Sequence, residues 1–290
     1  MYYLAGRDAA LAGLRAIAGN RQADLDDLRV PYRDWLGRRQ PTVTIGGDIT
    51  LRRTEFCDDP ELKRAIIQLN TGHAESHADL APEIFDAGTV RRRIAALEGA
   101  LERLREVDTD VVDLFELVVN RVFVGGDNAV AGSTSSSIGV TWATLPNDYP
   151  SGDLVEFLVH EFTHHLLFID DAMFQHYTDP QGAATRGLTL SPVRGVLRPL
   201  IFVLHSLVVA VEILKLRRGP VGTMPTTNFF HPDTQHLHDS CVACVRSIEA
   251  SVESLSLLSP RGLALFNICR ASLELHSPRP RPADSPRSER

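Results

Sequence analysis

The sequence predicts a mostly helical α+β fold: one domain with a small antiparallel sheet or hairpins beside the helices. Apolar residues recur at the period of about 3.6 residues that defines a helix over most of the chain. The segment TVTIGGDITL instead alternates around a glycine pair, as the two strands of a hairpin do. With 290 residues, 43% of them hydrophobic, the chain can bury a large core.

Five helices and two strand regions are expected in the first half. The helices are predicted over 4–17, 23–35, 61–69, 89–107 and 111–123, the last three with charged outer faces. In the hairpin at 42–51, Gly46 and Gly47 form the turn, because glycine adopts positive φ without steric cost. A strand is predicted at 138–143, between polar loops.

The second half is predicted to be helical as well. Asp153 is the expected N-cap of the next helix, and Glu156 completes a capping box three residues later. The stretch 171–198 is rich in Gly, Pro, Asp and Thr and is predicted to be irregular and functional. Helices follow over 199–217, 236–257 and 260–275, and Pro199 lies in the first turn of the first of these.

Composition argues against two classes of partner. The formal net charge of -7 and the pI near 5.9 argue against nucleic acid, whose phosphates require clustered positive charge. No apolar run reaches the roughly 20 residues that a membrane crossing requires.

The N-terminus has no basic leader, so a cytoplasmic location is expected. The four cysteines are too few for a disulfide framework and are expected to be reduced thiols.

The strongest chemical signal is FLVHEFTHHLL, in which His160 and His164 lie four residues apart and Glu161 follows the first. On a helix, such residues project from one face about 5.4 Å apart, so both rings can offer a nitrogen to one ion. Glu161 is rotated by about 100° and can hydrogen-bond a ligand or water on that ion. The apolar flanks LVEFLV and LLFI indicate a buried helix, so the motif predicts a metal site.

Two histidines do not complete a metal site, and the third ligand is expected from the apolar helix over 199–217. This helix contains His205 and Glu212, which are separated by roughly 10 Å along the axis, so only one can reach the ion. His205 gives a three-histidine site. Glu212 gives the two-histidine, one-carboxylate set of zinc peptidases and non-haem iron oxygenases. The residues alone leave both alternatives open.

The other histidines are weaker candidates. His165 points about 100° away from His164 and is expected to be a satisfied histidine beside the site or at the surface. His176 does not fit the extended metal-protease motif, whose third histidine falls where Asp170 stands.

A second metal site is also considered near the end of the chain. His238, Cys241 and Cys244 lie at three-residue steps, as ligands on one helical face do. The two cysteines are nevertheless expected to be small apolar core residues.

The motif and the residues that follow it resemble a known family. HEFTHHLLFID followed by LSPVRGVLRPLIFVLHSLVVAVEIL resembles the HExxH-type iron- and 2-oxoglutarate-dependent peptide β-hydroxylases associated with ribosomally synthesised peptide natural products. The matching features are His160, Glu161 and His164, then Ser191-Pro192 with Arg194, then Arg198-Pro199, and finally His205-Ser206. The resemblance covers residues 154–218.

The resemblance implies an Fe(II)/2-oxoglutarate-dependent dioxygenase that hydroxylates an unactivated carbon, Cβ of a residue in a peptide. It implies His205 as the third metal ligand. It also implies that Arg198, with Arg194 as second choice, binds the far carboxylate of 2-oxoglutarate, because the planar arginine fork matches a carboxylate. Glu161 is then expected to orient a metal-bound ligand or the substrate.

Two other functions are compatible with the motif. In a zinc metallopeptidase, Glu161 acts as the general base for a metal-bound water and Glu212 completes the zinc site. In a non-catalytic peptide-binding module, the metal is structural. The substrate is expected to be a peptide or an amino acid, and the sequence specifies no oligomeric state.

We expect residues 1–276 to form one globular domain and the proline-rich tail, 277–290, to be disordered. Within the domain, 151–218 contains the metal site, and 1–150 is the candidate substrate-binding half.

Overall fold

A computed structural model of the protein describes residues 6–41, 43, 53–57, 86–124, 132–143 and 149–275. The helices are α1 (Arg7–Ala18), α2 (Leu25–Arg39), α3 (Ala87–Val107), α4 (Thr109–Val118), α5 (Ser151–Phe174), α6 (Pro180–Thr185), α7 (Leu200–Leu216), α8 (Thr234–Glu249), α9 (Val252–Leu257) and α10 (Pro260–Glu274). The strands are β1 (Glu55–Cys57), β2 (Arg121–Val124), β3 (Val140–Ala143), β4 (Thr189–Leu190) and β5 (Leu197–Arg198), and a 3-10 helix spans Pro220–Thr223. Among the described helices, none combines the length and apolar character that crossing a membrane requires.

The fold is the mostly helical α+β domain that the sequence predicts, but its main sheet differs from the prediction. Strands β1, β2 and β3 are hydrogen-bonded in that order, and both pairs are parallel. The expectation of an antiparallel sheet is therefore wrong for these strands, and among the described strands it holds for the short β4–β5 pair. The long connection between β1 and β2, which includes α3 and α4, allows the chain to return in the same direction.

Several predicted elements are present with small shifts in their ends. Helices α1, α2, α3, α7 and α10 correspond to the segments predicted over 4–17, 23–35, 89–107, 199–217 and 260–275. Pro199 immediately precedes α7 as its N-cap. The hairpin turn at Gly46 and Gly47, the helix at 61–69 and the tail at 277–290 lie outside the described residues.

Three other predicted segments have a different structure. The helix expected over 111–123 ends at Val118, and β2 follows, because its valine-rich continuation fits a strand as well as a helix. The helix expected over 236–257 divides into α8 and α9, since Ser251 accepts a hydrogen bond from the Ser254 N–H at 3.1 Å and caps a new helix. The stretch 171–198 includes α6 and the β4–β5 pair.

One hydrophobic core extends from Leu11 to Leu273, so the segments on either side of residue 150 share it. Helix α5 packs against α1, α3 and α7. Cys241 and Cys244 are buried in this core with free thiols, as the sequence predicts. The domain is therefore organised around α5, the helix that contains the HExxH motif.

His165 joins α5 to the parallel sheet. Its Nδ1 accepts the Gly139 N–H at 3.2 Å, so its Nε2 carries the hydrogen and donates to Thr141 Oγ1 at 3.0 Å. The side chain is fully buried, and burial, followed by the charge of His164, lowers its pKa to about 3. His165 is therefore a satisfied core histidine that fixes the rotation of α5.

Candidate metal centre

Helix α5 begins without the side-chain cap that the sequence predicts. Its N-cap is Pro150, in extended conformation, and the assignment of Asp153 to this position is wrong. The Asp153 carboxylate accepts hydrogen bonds from the hydroxyl of Thr226 and from the hydroxyl and N–H of Thr227, at 2.5 to 2.8 Å. Asp153 therefore binds residues 226–227, which precede His231, to the first turn of α5.

Glu156 forms a buried ion pair instead of closing a capping box. Arg217, just after α7, donates from Nε and Nη2 to the two carboxylate oxygens at 2.6 and 2.9 Å. The side chains of Arg217 and Glu156 are only 7% and 4% exposed. Burial alone would raise the pKa of Glu156, but hydrogen bonds from His231 and Arg217 hold it below its ordinary value. Glu156 is therefore ionised and can only accept hydrogen bonds.

A hydrogen-bond relay runs from Glu156 through His231 to the first motif histidine. His231 Nδ1 lies 3.3 Å from Glu156 Oε2, and His231 Nε2 lies 2.9 Å from His160 Nδ1. Because the carboxylate only accepts, Nδ1 of His231 carries a hydrogen, and with a single hydrogen on that ring its Nε2 accepts the hydrogen of His160 Nδ1. This pattern leaves a lone pair on Nε2 of His160, the form in which an imidazole binds a metal.

Five imidazoles lie side by side next to α5, and we call them the imidazole row. In order they are His231, His160, His164, His205 and His176, with successive ring centroids 5.0, 4.9, 6.0 and 6.0 Å apart. Phe168 stacks on His164 at 5.9 Å and contacts His205 at 5.4 Å. Its apolar ring therefore covers part of the row.

The structure brings His205, and not Glu212, to the motif. The ring of His205, in α7, contacts that of His164, whereas Glu212 is buried near Cys269 and Lys215. Glu212 Oε2 has no hydrogen-bond partner among the described residues, and burial, partly offset by Lys215, raises the pKa of Glu212 to about 8. Glu212 is therefore a neutral carboxyl group in the core, and the geometry favours three histidines.

The three histidines predicted as ligands are neutral at pH 7. Burial lowers the pKa of His164 to about 4, and it lowers the pKa of His160 and His205 well below the ordinary value of 6.5. Charges on neighbouring imidazoles add to this effect, because a second positive charge is disfavoured nearby. Neutral rings have the free lone pairs that a divalent ion requires.

Glu161 lies beside the lone pair of His160. Its Oε1 is 3.8 Å from His160 Nε2, and its Oε2 accepts a hydrogen bond from Ser133 Oγ at 2.7 Å. Burial raises the pKa of Glu161 to about 7, with a smaller opposite effect from Ser133. Ser133 reaches this position because Gly132 pairs with Trp142, whose indole a Cβ on Gly132 would approach to 2.9 Å. Glu161 is therefore placed to hydrogen-bond a group held at His160.

The two arginines predicted to bind the cosubstrate lie at the β4–β5 hairpin and the start of α7. Arg198 is half-buried, and its guanidinium lies 4.8 Å from the ring of Phe202, one helical turn before His205. Arg194 is exposed in the turn of the hairpin, where its N–H donates to Ser191 Oγ at 3.2 Å. Arg198 is therefore the less exposed of the two and lies against Phe202, a residue of the first turn of α7.

The donors fit a divalent metal ion in type and protonation, but they do not surround one as they stand. Nδ1 of His164 is buried without a hydrogen-bond partner among the described residues, which would cost about 1–3 kcal/mol if nothing satisfied it. No three His, Cys, Asp or Glu side chains in the part of the chain that the structure describes are arranged to hold one ion. Binding by His160, His164 and His205 together therefore requires a change of side-chain rotamer.

The sequence does not indicate Ser133 or His231 as site residues, and it predicts a capping role for Glu156. His231 follows two phenylalanines in NFFHP, and a histidine in an apolar segment is only a weak signal for a buried partner. Ser133 lies in the polar segment GSTSSS, in which no position is distinguished from the next.

Comparison with known proteins identifies no family. No protein-family model matches the chain, and no curated protein matches it.

Proposed function

We propose that the chain is an Fe(II)- and 2-oxoglutarate-dependent oxygenase that hydroxylates Cβ of a residue in a peptide. His160, His164 and His205 would hold the iron. The observation that supports this set is the position of His205 beside His164, while Glu212 lies in the core near Cys269. The resemblance of residues 154–218 to peptide β-hydroxylases supplies the reaction class.

Iron and 2-oxoglutarate would supply the oxidising chemistry, and the chain's own residues bind, orient and exclude water. The relay from Glu156 through His231 keeps the lone pair of His160 on Nε2. Glu161, held by Ser133, accepts or donates a hydrogen bond beside that nitrogen. Phe168 shields the rings of His164 and His205 from water.

Arg198 would bind the far carboxylate of 2-oxoglutarate. No carboxylate of the described residues forms an ion pair with Arg198, so its guanidinium is available to an anion. Its guanidinium lies over the ring of Phe202, which precedes His205 by three positions in α7. Arg194, which is exposed, remains the second choice.

The test is 2-oxoglutarate binding to the Fe(II)-loaded full-length chain without oxygen, followed by succinate formation in air. We expect the visible charge-transfer absorption of an iron-bound 2-oxoacid, and succinate that depends on both Fe(II) and 2-oxoglutarate. Arg198→Ala should weaken cosubstrate binding by at least about 30-fold, equivalent to about 2 kcal/mol, because it removes a charged partner of a carboxylate. Arg270→Ala, an exposed arginine paired with Glu249, is the matched control and should bind normally.

If Arg198→Ala binds 2-oxoglutarate as the unmodified chain does, the assignment of Arg198 is wrong. If the unmodified chain neither binds 2-oxoglutarate nor forms succinate, the oxygenase proposal is wrong.

A zinc peptidase is the second candidate, and the position of Glu161 favours it. Glu161 Oε1 lies 3.8 Å from His160 Nε2, close enough to act as a base toward a water held at that nitrogen. This function predicts peptide cleavage by the zinc-loaded chain that Glu161→Gln abolishes. Cleavage without 2-oxoglutarate-dependent succinate formation would replace the first proposal by the second.

A further inference from the structure

His176 is the member of the imidazole row that the proposed site does not use. It lies in the turn after α5 and is 0% exposed. Its N–H donates to Asp171 Oδ1 at 2.6 Å, its carbonyl accepts the Ser259 N–H at 3.0 Å, and its Nε2 lies 2.7 Å from Asp170 Oδ2. Of its polar atoms, only Nδ1 has no hydrogen-bond partner among the described residues.

Asp170 determines which nitrogen of His176 carries the hydrogen. Arg261 donates from Nε and Nη2 to the two oxygens of Asp170, at 2.9 and 2.6 Å, so this carboxylate is ionised and only accepts. Nε2 of His176 therefore carries a hydrogen, and with a single hydrogen on the ring Nδ1 has a lone pair. Asp171 Oδ1, at 3.7 Å from Nδ1, is too distant for a hydrogen bond and is itself an acceptor.

The turn that contains His176 is packed tightly against its neighbours. Tyr177 donates its hydroxyl hydrogen to the Ile201 carbonyl at 3.3 Å, one turn before His205 in α7. Gly262 of α10 lies so close that a Cβ there would be 2.1 Å from the His176 carbonyl oxygen. His176 is therefore held in a fixed position relative to α7 and α10.

The nearest imidazole of the row is that of His205. The centroids of His176 and His205 are 6.0 Å apart, whereas those of His160 and His231, which are hydrogen-bonded at 2.9 Å, are 5.0 Å apart. The two rings thus lie within 1.0 Å of the separation at which this chain already forms an imidazole pair. A small rotation of the His205 side chain would bring the rings of His205 and His176 to that separation.

We propose that His176 is a positioning residue for His205: its Nδ1 accepts the ring hydrogen of His205 when the other nitrogen of His205 binds the metal. This inference rests on the proposed function, because it requires His205 to be a ligand. Two relays of the same composition then support the site, Arg217–Glu156–His231 behind His160 and Arg261–Asp170–His176 behind His205. Such partners fix the tautomer of a ligand and raise its basicity.

Nitrogen NMR of the full-length chain with labelled histidines tests the tautomer directly, and Zn(II) serves as a diamagnetic probe. Without metal, we expect His176 to have hydrogen on Nε2 and none on Nδ1. On addition of zinc chloride, one nitrogen of His205 should move to a metal-bound shift, and Nδ1 of His176 should move to the shift of a hydrogen-bond acceptor. Hydrogen on Nδ1 of His176, or an Nδ1 signal that zinc leaves unchanged, would overturn the inference.

Two substitutions of His176 test the roles of its two ring nitrogens separately. Gln at this position keeps a polar group near Nε2 for Asp170 but lacks one at Nδ1, whereas Asn keeps a polar group near Nδ1. His176→Gln should weaken zinc binding by about 10- to 100-fold, the usual effect of removing a residue that orients a ligand, and His176→Asn should recover part of the loss. His236→Gln, at an exposed histidine, is the matched control and should bind zinc normally.

The outcomes distinguish this inference from the proposed function. If His176→Gln binds zinc as tightly as the unmodified chain while His205→Ala does not, the positioning role is wrong and the three-histidine site stands. If the unmodified chain binds no zinc, or His205→Ala binds it normally, both proposals fail. Should the variants not fold, the NMR measurement on the unmodified chain decides.

Discussion

Replacing His205 with alanine is expected to lower the affinity of the chain for one divalent ion by at least about 100-fold, because loss of a residue that merely orients a ligand already costs 10- to 100-fold. The physical reason is that His160 and His164 alone leave the ion with two protein ligands, which does not make a stable site. Calorimetric titration of the metal-free chain with Zn(II) measures the effect. His205 is buried, so thermal unfolding of the variant should be recorded alongside.

Glu212→Gln is the matched variant for this prediction. Glu212 lies in the same helix, α7, and its neutral carboxyl group is close in shape to an amide. Its zinc affinity should equal that of the unmodified chain. A variant of Glu212 that loses zinc while His205→Ala retains it would reverse the choice of third ligand and favour the peptidase.

Glu156→Ala should destabilise the folded protein by about 3–5 kcal/mol, because it leaves the charge of Arg217 buried without its carboxylate partner. Both side chains are almost fully buried, so solvent does not compensate for the loss. Urea unfolding measures the free-energy difference. The folded-state pKa of Glu156 lies below its ordinary value of 4.5, so the pair stabilises the fold above that pH. Its contribution is lost as pH falls through the folded-state pKa.

Glu249→Ala is the control for Glu156→Ala. Glu249 pairs with Arg270 at 3.1 Å, but the two side chains are 40% and 45% exposed, and the expected change is about 0–1 kcal/mol. Equal effects of the two variants would show that the Arg217–Glu156 pair does not contribute as a buried ion pair.

The helix that contains His160 and His164 could be predicted from the sequence because helical periodicity is local information. The choice between His205 and Glu212 as third ligand could not be predicted from such local information. Helix α7 is apolar around its whole circumference, so its pattern does not indicate which face meets α5. The rotation of α7 against α5 is a property of tertiary packing, which a local sequence pattern does not specify.

The roles of Asp153 and Glu156 differ from the predicted capping box for a related reason. The spacing of Asp153 and Glu156 matches a capping box, a local pattern, but both carboxylates bind partners from distant segments. Arg217 is 61 residues from Glu156, and His231 is 75 residues from it. Single-sequence patterns contain no information about such pairs.

Strand β2 is a further case in which a local pattern does not determine the conformation. The valines near the end of α4 fit the helical period, so the predicted helix was extended through residues that form β2. Pairing with β1 and β3 decides the conformation of this run, since β-propensity reflects neighbours more than the backbone itself.

The central claim is that imidazoles from α5 and α7 hold one divalent ion. X-ray absorption spectroscopy of the Fe(II)-loaded full-length chain tests it most directly, because multiple scattering from imidazole rings counts the histidines bound to iron. We predict three histidine ligands in the unmodified chain and two or fewer in His205→Ala. A spectrum of the unmodified chain with no imidazole scattering, or one that His205→Ala leaves unchanged, would contradict the claim.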